Sequence, residues 1–515
     1  MITRAMALTL LSIGLVLAGC CADRRGSEKE TLVWGIGGAE IRGLVASNGV
    51  AEFRGIAYAK PPVGDLRWRA PQQLPPSVGE IDATRFGSAC PQGQGNPDWY
   101  RTVAKGLDAD PELIADLDDI SEDCLYLNVW SNGAGGTPKP VMVWIHGGSN
   151  VNGFSHEPNY LGHRLAARDI VFVSLNYRLG ALGFLPHPLL DEEDPNAVSG
   201  YYGLADQVAA LQWIQSNIAA FGGAPDNVTI FGESAGGGNI AALLRMRSAS
   251  GLFHRAAIQS GALAPYDAVD YEAATKAGEK LFDTLEAKTL EQMRATPWEE
   301  LVDQTPIVLP DYYFGPVADG RQLEGREITS PVPLLIGVNA DEMLMYMPQG
   351  ELRPFESALS TYGGEQRDAV AAYFAQGESG ALAQANRLAS ASEFFCPALG
   401  LARQVAREGV PVFYYYFTRI RPDGEELGAY HGAEIPYVFD TADEWLPSSE
   451  TDRELTQMMV SYWTNFARSG DPNGSELPQW QPFDPSAGTV HELGISVGAT
   501  SDHPARACSL LSTSS

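Results

Sequence analysis

The chain has 515 residues, 44% of them hydrophobic, enough to bury a large core. Its 64 acidic against 35 basic side chains leave a formal charge of −29. That balance argues against a nucleic-acid partner, which selects basic faces, and favours neutral over anionic substrates.

The first stretch, MITRAMALTLLSIGLVLAGC, has one positive residue, Arg4, and then a short apolar run from Ala5 to Leu17. The run is too short for a comfortable membrane span and fits a secretory signal over 1–19. Leu17-Ala18-Gly19-Cys20 resembles a bacterial lipobox, which predicts lipidation of Cys20, a membrane partner through that anchor and residence in the cell envelope. The alternative is an ordinary signal cut near Ala22. The polar segment 20–30 reads as a tether, and 31–515 as a single domain. With Cys20 and Cys21 assigned to the export region, Cys90, Cys124, Cys396 and Cys508 remain. An even number in an exported protein predicts two bridges, for which sequence alone allows three pairings. No Cys/His cluster suggests a metal, and HELG at 491 is not a zinc motif.

From Thr31 to Ala59, short apolar runs alternate with glycines and predict antiparallel strands at one edge of a sheet. Then come compact apolar runs: KPVMVWIHGG, DIVFVSLNYR, NVTIFGES, FHRAAIQSG, VPLLIGVNADE and VFYYYFTRI. These fit buried strands. Helical patterns such as GLADQVAALQWIQSNIAAFGG lie between them, so the prediction is α/β, with a mostly parallel central sheet covered by helices on both faces. Two polar helical stretches, 267–303 and 345–390, break the rhythm and are expected to be excursions over the mouth of a site.

Gly232-Glu233-Ser234-Ala235-Gly236 fits G-x-S-x-G, between a strand pattern and a helix start. Small residues permit a sharp turn that lifts a serine hydroxyl out of the sheet edge, and the new helix directs free N–H groups toward it. An oxyanion would need donors from the Ala235 N–H and from a second turn, for which WIHGGSN, 144–150, is the candidate. Four histidines follow the serine. His254 begins a buried strand, His491 and His503 fit surface positions near the C-terminus, and His431 lies in a Gly-flanked loop after a strand. For the acid, Asp341 and Glu342 both follow a buried strand, and the residues alone do not choose between them.

Several blocks, in order, resemble the type-B carboxylesterases, the family of the cholinesterases and the bacterial para-nitrobenzyl esterases: FRGIAYAKPPVGDLRWRAP, SEDCLYLNVW, NYRLGALGFL, FGGAPDNVTIFGESAGG, GVNADE, HGAEIPYVF and YWTNFARSGDPN. The resemblance implies an α/β-hydrolase fold and hydrolysis of small neutral carboxylic esters through an acyl-enzyme, without cofactor or metal. Carried over, it puts the nucleophile on Ser234, the acid on Glu342, the base on His431 and the oxyanion donors on the N–H groups of Gly148, Ser149 and Ala235. It also implies bridges Cys90–Cys124 and Cys396–Cys508. Asp341 should then bond nearby backbone, because neighbouring side chains of an extended segment diverge.

Two departures stand out. Ser149 replaces the third glycine of the family's oxyanion loop, and Met343 follows the acid in place of glycine. Trp99 lies in the Cys90–Cys124 loop, and no choline site is assigned to it. Rival readings are an amidase, lactonase or specialised detoxifying esterase on the same triad, and a non-catalytic binding module, which retention of all three triad residues disfavours.

Overall fold

The buried strands run side by side because their residues are apolar on both faces. The computed structural model describes residues 31–511, apart from 76–77, 262–267, 324, 349, 377–379, 443–444 and 487. The export signal, Cys20 and tether predicted within 1–30 lie outside the described residues.

The main strands are β1 (Thr31–Ile36), β2 (Ala39–Val45), β3 (Ala51–Ala57), β4 (Tyr126–Ser131), β5 (Lys139–Ile145), β6 (Val171–Leu175), β7 (Gly223–Glu233), β8 (Arg255–Gln259), β9 (Leu334–Asn339), β10 (Val412–Phe417), β11 (Val490–Leu493) and β12 (Val497–Thr500). Their order across the sheet is β1-β2-β3-β4-β6-β5-β7-β8-β9-β10-β11-β12, with the short strand Glu80–Asp82 beside β2. From β6 to β11 every pairing is parallel. The antiparallel edge reaches one strand further than predicted, because β4 also pairs antiparallel with both β3 and β6.

Burial follows this division. β6 and β9 are buried at every residue, as expected for strands covered on both faces, whereas β1 alternates exposed and half-buried positions. Among the covering helices are α1 (Gly95–Gly106), α2 (Tyr202–Asn217), α3 (Ala235–Leu243), α4 (Trp298–Val308), α5 (Cys396–Arg407) and α6 (Glu450–Ser469). Both stretches predicted as excursions are helical. The first holds Tyr271–Thr284, Leu290–Ala295 and α4; the second holds Pro354–Tyr362, Arg367–Phe374 and Ala381–Ser390.

Register brings the C-terminal ends of the central strands together. Ile145 faces Gly232, Gly232 faces Ile258, Gln259 faces Gly337, and Asn339 faces Phe417. Every loop leaving those ends starts from the same rim, where ligands of parallel sheets bind.

Cys90 is bonded to Cys124 and Cys396 to Cys508, at sequence separations of 34 and 112. Closing loops of those lengths constrains the unfolded chain by about 4 and about 5 kcal/mol in the chain-entropy account. The first bridge encloses α1 and the second ties the C-terminal turn to the start of α5.

One buried ion pair joins this rim to a covering helix. Arg178, just past β6, donates through its guanidinium to both carboxylate oxygens of Asp206 on α2, at 2.7 Å each, and its backbone N–H adds a third bond at 3.0 Å. Both side chains are almost wholly removed from solvent. Asp206→Ala strands the guanidinium without its partner, and we expect a loss of about 3–5 kcal/mol. A denaturant-unfolding midpoint unchanged from wild type would contradict that role.

Candidate active site

β7 ends at Glu233 and α3 begins at Ala235, so the chain reverses at one residue. Ser234 there has φ 53° and ψ −125°, a conformation that costs a non-glycine residue about 1–3 kcal/mol. Two hydrogen bonds hold it: Ser234 N–H donates to the Gln259 carbonyl, and Gly238 N–H to the Ser234 carbonyl, both at 2.9 Å. Close packing requires the flanking glycines. A β-carbon on Gly232 or Gly236 would lie 2.5 or 2.1 Å from the carbonyl oxygen of Ile145, at the end of β5. The N–H of Ala235, in the first turn of α3, has no partner within its helix.

The loop after β5 supplies the facing wall. Gly148 has φ 99°, and a β-carbon there would meet the Asn152 carbonyl oxygen at 2.3 Å, so only glycine fits. Ser149 and Asn150 follow at φ 55° and 56°. The serine thus adopts the left-handed backbone that a third glycine would take freely, and its neighbour is clamped to keep it there. Asn150 Oδ1 accepts from Tyr177 Oη at 3.2 Å and from Asn239 Nδ2 at 2.9 Å. His146, stacked on Tyr177 with ring centres 4.4 Å apart, is pushed down to about 4 by burial and stays neutral beneath the loop.

His431 comes from the long connection after β10. Its Nδ1 lies 2.6 Å from Glu342 Oε2, while Glu342 Oε1 accepts from the backbone N–H of Asn339 at 2.7 Å. Glu342 is fully buried. Asp341 turns elsewhere: its carboxylate accepts from Asn386 Nδ2 at 2.7 Å and from the Ala429 N–H at 2.8 Å, bracing the loop that carries His431. The two carboxylates diverge as predicted, but by a turn over 340–343; the segment is not extended.

The other histidines have structural work. His254 Nδ1 accepts from the Val228 N–H. His503 Nδ1 accepts from the Ala505 N–H at a short helix start. The surface position expected of His491 is wrong: it is buried at 2% exposure and stacked on Trp480, because β11 lies between β10 and β12 and is not an edge strand.

Gly148, Ser149, Ser234, Ala235 and His431 line one cavity of about 340 Å³. α1 contributes Asn96, Trp99 and Tyr100 to it. Among its described residues, the first helical excursion contributes nothing up to 303; Tyr313, just beyond it, lines the cavity instead. The second contributes Tyr346, with Phe394 just past its end. Phe394 packs on the His431 ring at 5.0 Å.

Three buried carboxylates here were not singled out from the sequence. Glu233 Oε1 lies 3.2 Å from His431 Nε2, an ion-pair contact without hydrogen-bond geometry, so the imidazole is anchored firmly only at Nδ1. Burial raises Glu233 to about 8, and Glu157, bonded to Tyr100 Oη and the Phe154 N–H, to about 7. Glu434 is also raised by burial; it accepts from Gln259 Nε2 and Asn339 Nδ2. For His431 burial opposes the charged ring, but Glu233, the bond to Glu342 and Glu434 outweigh it and hold the imidazole up to about 9. Glu233 occupies the first x of G-x-S-x-G, and Glu434 lies three residues after His431. Both were in view as letters, but their burial depends on distant strands. Among the described residues no group of His, Cys, Asp and Glu is arranged to hold a metal ion.

The sequence pattern of the carboxylesterase family matches residues 33–509. The chain is 33% identical over 496 residues to a fumonisin B1 esterase of Sphingopyxis macrogoltabida, covering 89% of this chain and 86% of that one. It is 35% identical over 463 residues to a para-nitrobenzyl esterase of Bacillus subtilis, covering 85% and 89%. Among solved structures, a Geobacillus stearothermophilus carboxylesterase superposes with a TM-score of 0.79 at 30% identity, over 93% of this chain and 99% of that one. Matched along nearly its whole described length, in sequence and in α/β-hydrolase fold, the chain belongs to the carboxylesterase family and is a carboxylic-ester hydrolase.

Proposed function

We propose that Ser234 is the nucleophile, His431 the general base and Glu342 the acid that orients it, acting on neutral carboxylic esters. The observation that carries this is the 2.6 Å bond from His431 Nδ1 to the buried Glu342, with the ring on the wall of the cavity that Ser234 shares. His431 Nε2 takes the hydroxyl proton as Ser234 Oγ bonds to the ester carbonyl carbon. Glu342 stabilises the imidazolium, and the N–H groups of Gly148, Ser149 and Ala235 receive the oxyanion. Collapse breaks the bond to the alkoxy oxygen, which leaves as the alcohol with the proton from Nε2. Water then repeats the sequence on the acyl-enzyme.

We also infer that the enzyme is exported and anchored through Cys20. The Leu17–Cys20 stretch and two disulfides, which form in oxidising compartments, support that reading. Cys20→Ser should shift the enzyme from the membrane to the soluble fraction or stall its processing. An intact mass showing an unmodified mature start at another residue refutes the anchor.

Ser234→Ala should abolish labelling by a fluorophosphonate probe while leaving the fold intact. On one activated ester, Glu342→Gln should lower kcat by up to about 10⁴, because the amide can hold the wrong imidazole tautomer. Asp341→Asn should stay within about tenfold of wild type, a loss that counts only loop bracing against the effects of buried-partner removal. A dead Asp341→Asn beside a near-normal Glu342→Gln would move the acid by one residue.

The pH dependence has a definite sign. A protonated imidazole cannot accept the serine proton, so kcat/KM should climb with pH as His431 loses its proton, which the free enzyme holds up to about 9. Glu233→Gln removes one anion that favours the charged ring. The rising limb should then move to lower pH, by about one to three units. An unmoved limb would remove Glu233 from the proton balance.

A further inference from the structure

The loop after β5 brings two uncommitted polar side chains to the Ser234 cavity. The Gly148 carbonyl accepts from the N–H groups of Val151 at 3.0 Å and Asn152 at 2.9 Å, so the chain closes a tight turn there. Ser149 and Asn152 stand three positions apart on that turn, and both line the cavity. Ser149 is exposed and Asn152 half-buried. Among the described residues, neither the Ser149 hydroxyl nor the Asn152 carboxamide has a hydrogen-bond partner. Each of the two groups can donate and accept. Other polar groups of the wall are already paired: Asn96 and Tyr100 donate to Glu157, and Trp99 donates to Tyr346 Oη.

The turn is held from both sides. Asn150 inside it is fixed by Tyr177 and Asn239, and its carbonyl accepts from the Gly180 N–H at 2.6 Å. Just past the turn, the Gln92 carboxamide donates to the Gly153 carbonyl and accepts from the Gly153 N–H, both at 2.8 Å. Within this frame Ser149 keeps φ 55°. Glycine takes that backbone freely, whereas serine is strained there, and what the serine adds is a hydroxyl on the cavity wall. Residues held in this way cluster at sites that touch ligands. The three N–H groups assigned to the oxyanion, those of Gly148, Ser149 and Ala235, match its three lone pairs. The hydroxyl is therefore left for another substrate atom. Because Ser149 N–H and Oγ belong to one residue, that atom must lie within a few bonds of the ester carbonyl.

We propose that Ser149 Oγ and the Asn152 carboxamide form a polar subsite that recognises a hydroxyl group carried by the substrate close to its scissile ester. The inference rests on the reading of Ser234 as nucleophile and adds the substrate class: neutral esters with a hydroxyl on the acyl chain or the alcohol, near the carbonyl. A substrate hydroxyl also donates and accepts, so it can bond to both side chains at once. The turn is fixed before substrate arrives, so little ordering opposes that contact.

Two matched pairs of esters test it on the full-length enzyme, with acid release followed by titration. Ethyl 3-hydroxybutanoate against ethyl 3-methylbutanoate varies the acyl side; 2-hydroxyethyl acetate against propyl acetate varies the alcohol. Each kcat/KM is divided by the hydroxide-catalysed rate of the same ester, which removes intrinsic reactivity. In one pair the hydroxylated ester should be favoured about tenfold, the effect of one net hydrogen bond, and that pair identifies the side of the ester that is read. Ser149→Ala and Ser149→Gly should both bring the ratio close to one, although the glycine relieves the backbone strain. Asn152→Leu, of similar size, should cut the same ratio and stands in if the Ser149 variants fail to fold. A merely structural role would slow both members of a pair alike and leave the ratio unmoved. A ratio near one for both pairs in the wild type, or a preference that survives in folded Ser149→Ala or Asn152→Leu, overturns the subsite. If the wild type turns over none of the four esters, or Ser234→Ala still does, the reading of Ser234 is at fault. If all four are cleaved through Ser234 without preference, only the subsite fails.

Discussion

The backbone reversal at Ser234 is the constraint on which the rest of the site depends. A residue with a side chain is held at φ 53°, and the strain is offset because β7, β5 and α3 meet there with no space for β-carbons. Ile145 presses on Gly232 and Gly236, and Gln259 of β8 takes the Ser234 N–H. Gln259 in turn passes the constraint outward. Its side chain donates to Glu434 and accepts from Trp463 Nε1 on α6, so the Ser234 turn, the segment after His431 and a distant helix share one hydrogen-bonded centre.

That centre is also where charge is concentrated. Glu342, Glu233 and Glu434 are all nearly or wholly buried near one imidazole, and the buried Glu157 lines the same cavity. Burial disfavours the anions of Glu233 and Glu434, while negative charge on the carboxylates beside the ring favours the imidazolium. The balance of these pressures favours the protonated His431 ring. Asn339 links the pieces, with its N–H on Glu342 and its side chain on Glu434 and the Tyr430 carbonyl.

The disulfides act on the walls and leave the chemistry to the rim. Cys90–Cys124 encloses α1, which brings Asn96, Trp99 and Tyr100 into the cavity. Cys396–Cys508 anchors the chain two residues beyond Phe394, whose ring rests on His431. The cavity walls are therefore irregular segments pinned at a few points, whereas Ser234 stands at a strand end whose register is fixed.

The local signals in the sequence were strong where chemistry forces a residue type. G-x-S-x-G between strand and helix, the glycines after β5 and the ordered family blocks pointed to Ser234, the turn at Gly148 and Ser149, His431 and Glu342; Ser234, that turn and His431 line one cavity, and Glu342 is bonded to His431. Composition and apolar runs were enough for a parallel sheet, because strands buried on both faces must be apolar throughout. Other features had no local signature. His491 reads as a surface residue near the C-terminus and is buried, since only the pairing of β12 outside β11 covers it. The helical excursions were legible as helices, but the residues that reach the cavity lie mostly at their margins, at Tyr313, Tyr346 and Phe394. The contact of Glu233 with the His431 imidazole joins segments far apart in the chain. The sequence by itself determined which side chains are chemically competent. Tertiary structure alone decided which of them are desolvated and brought into contact, because burial and distance depend on the packing of the whole sheet.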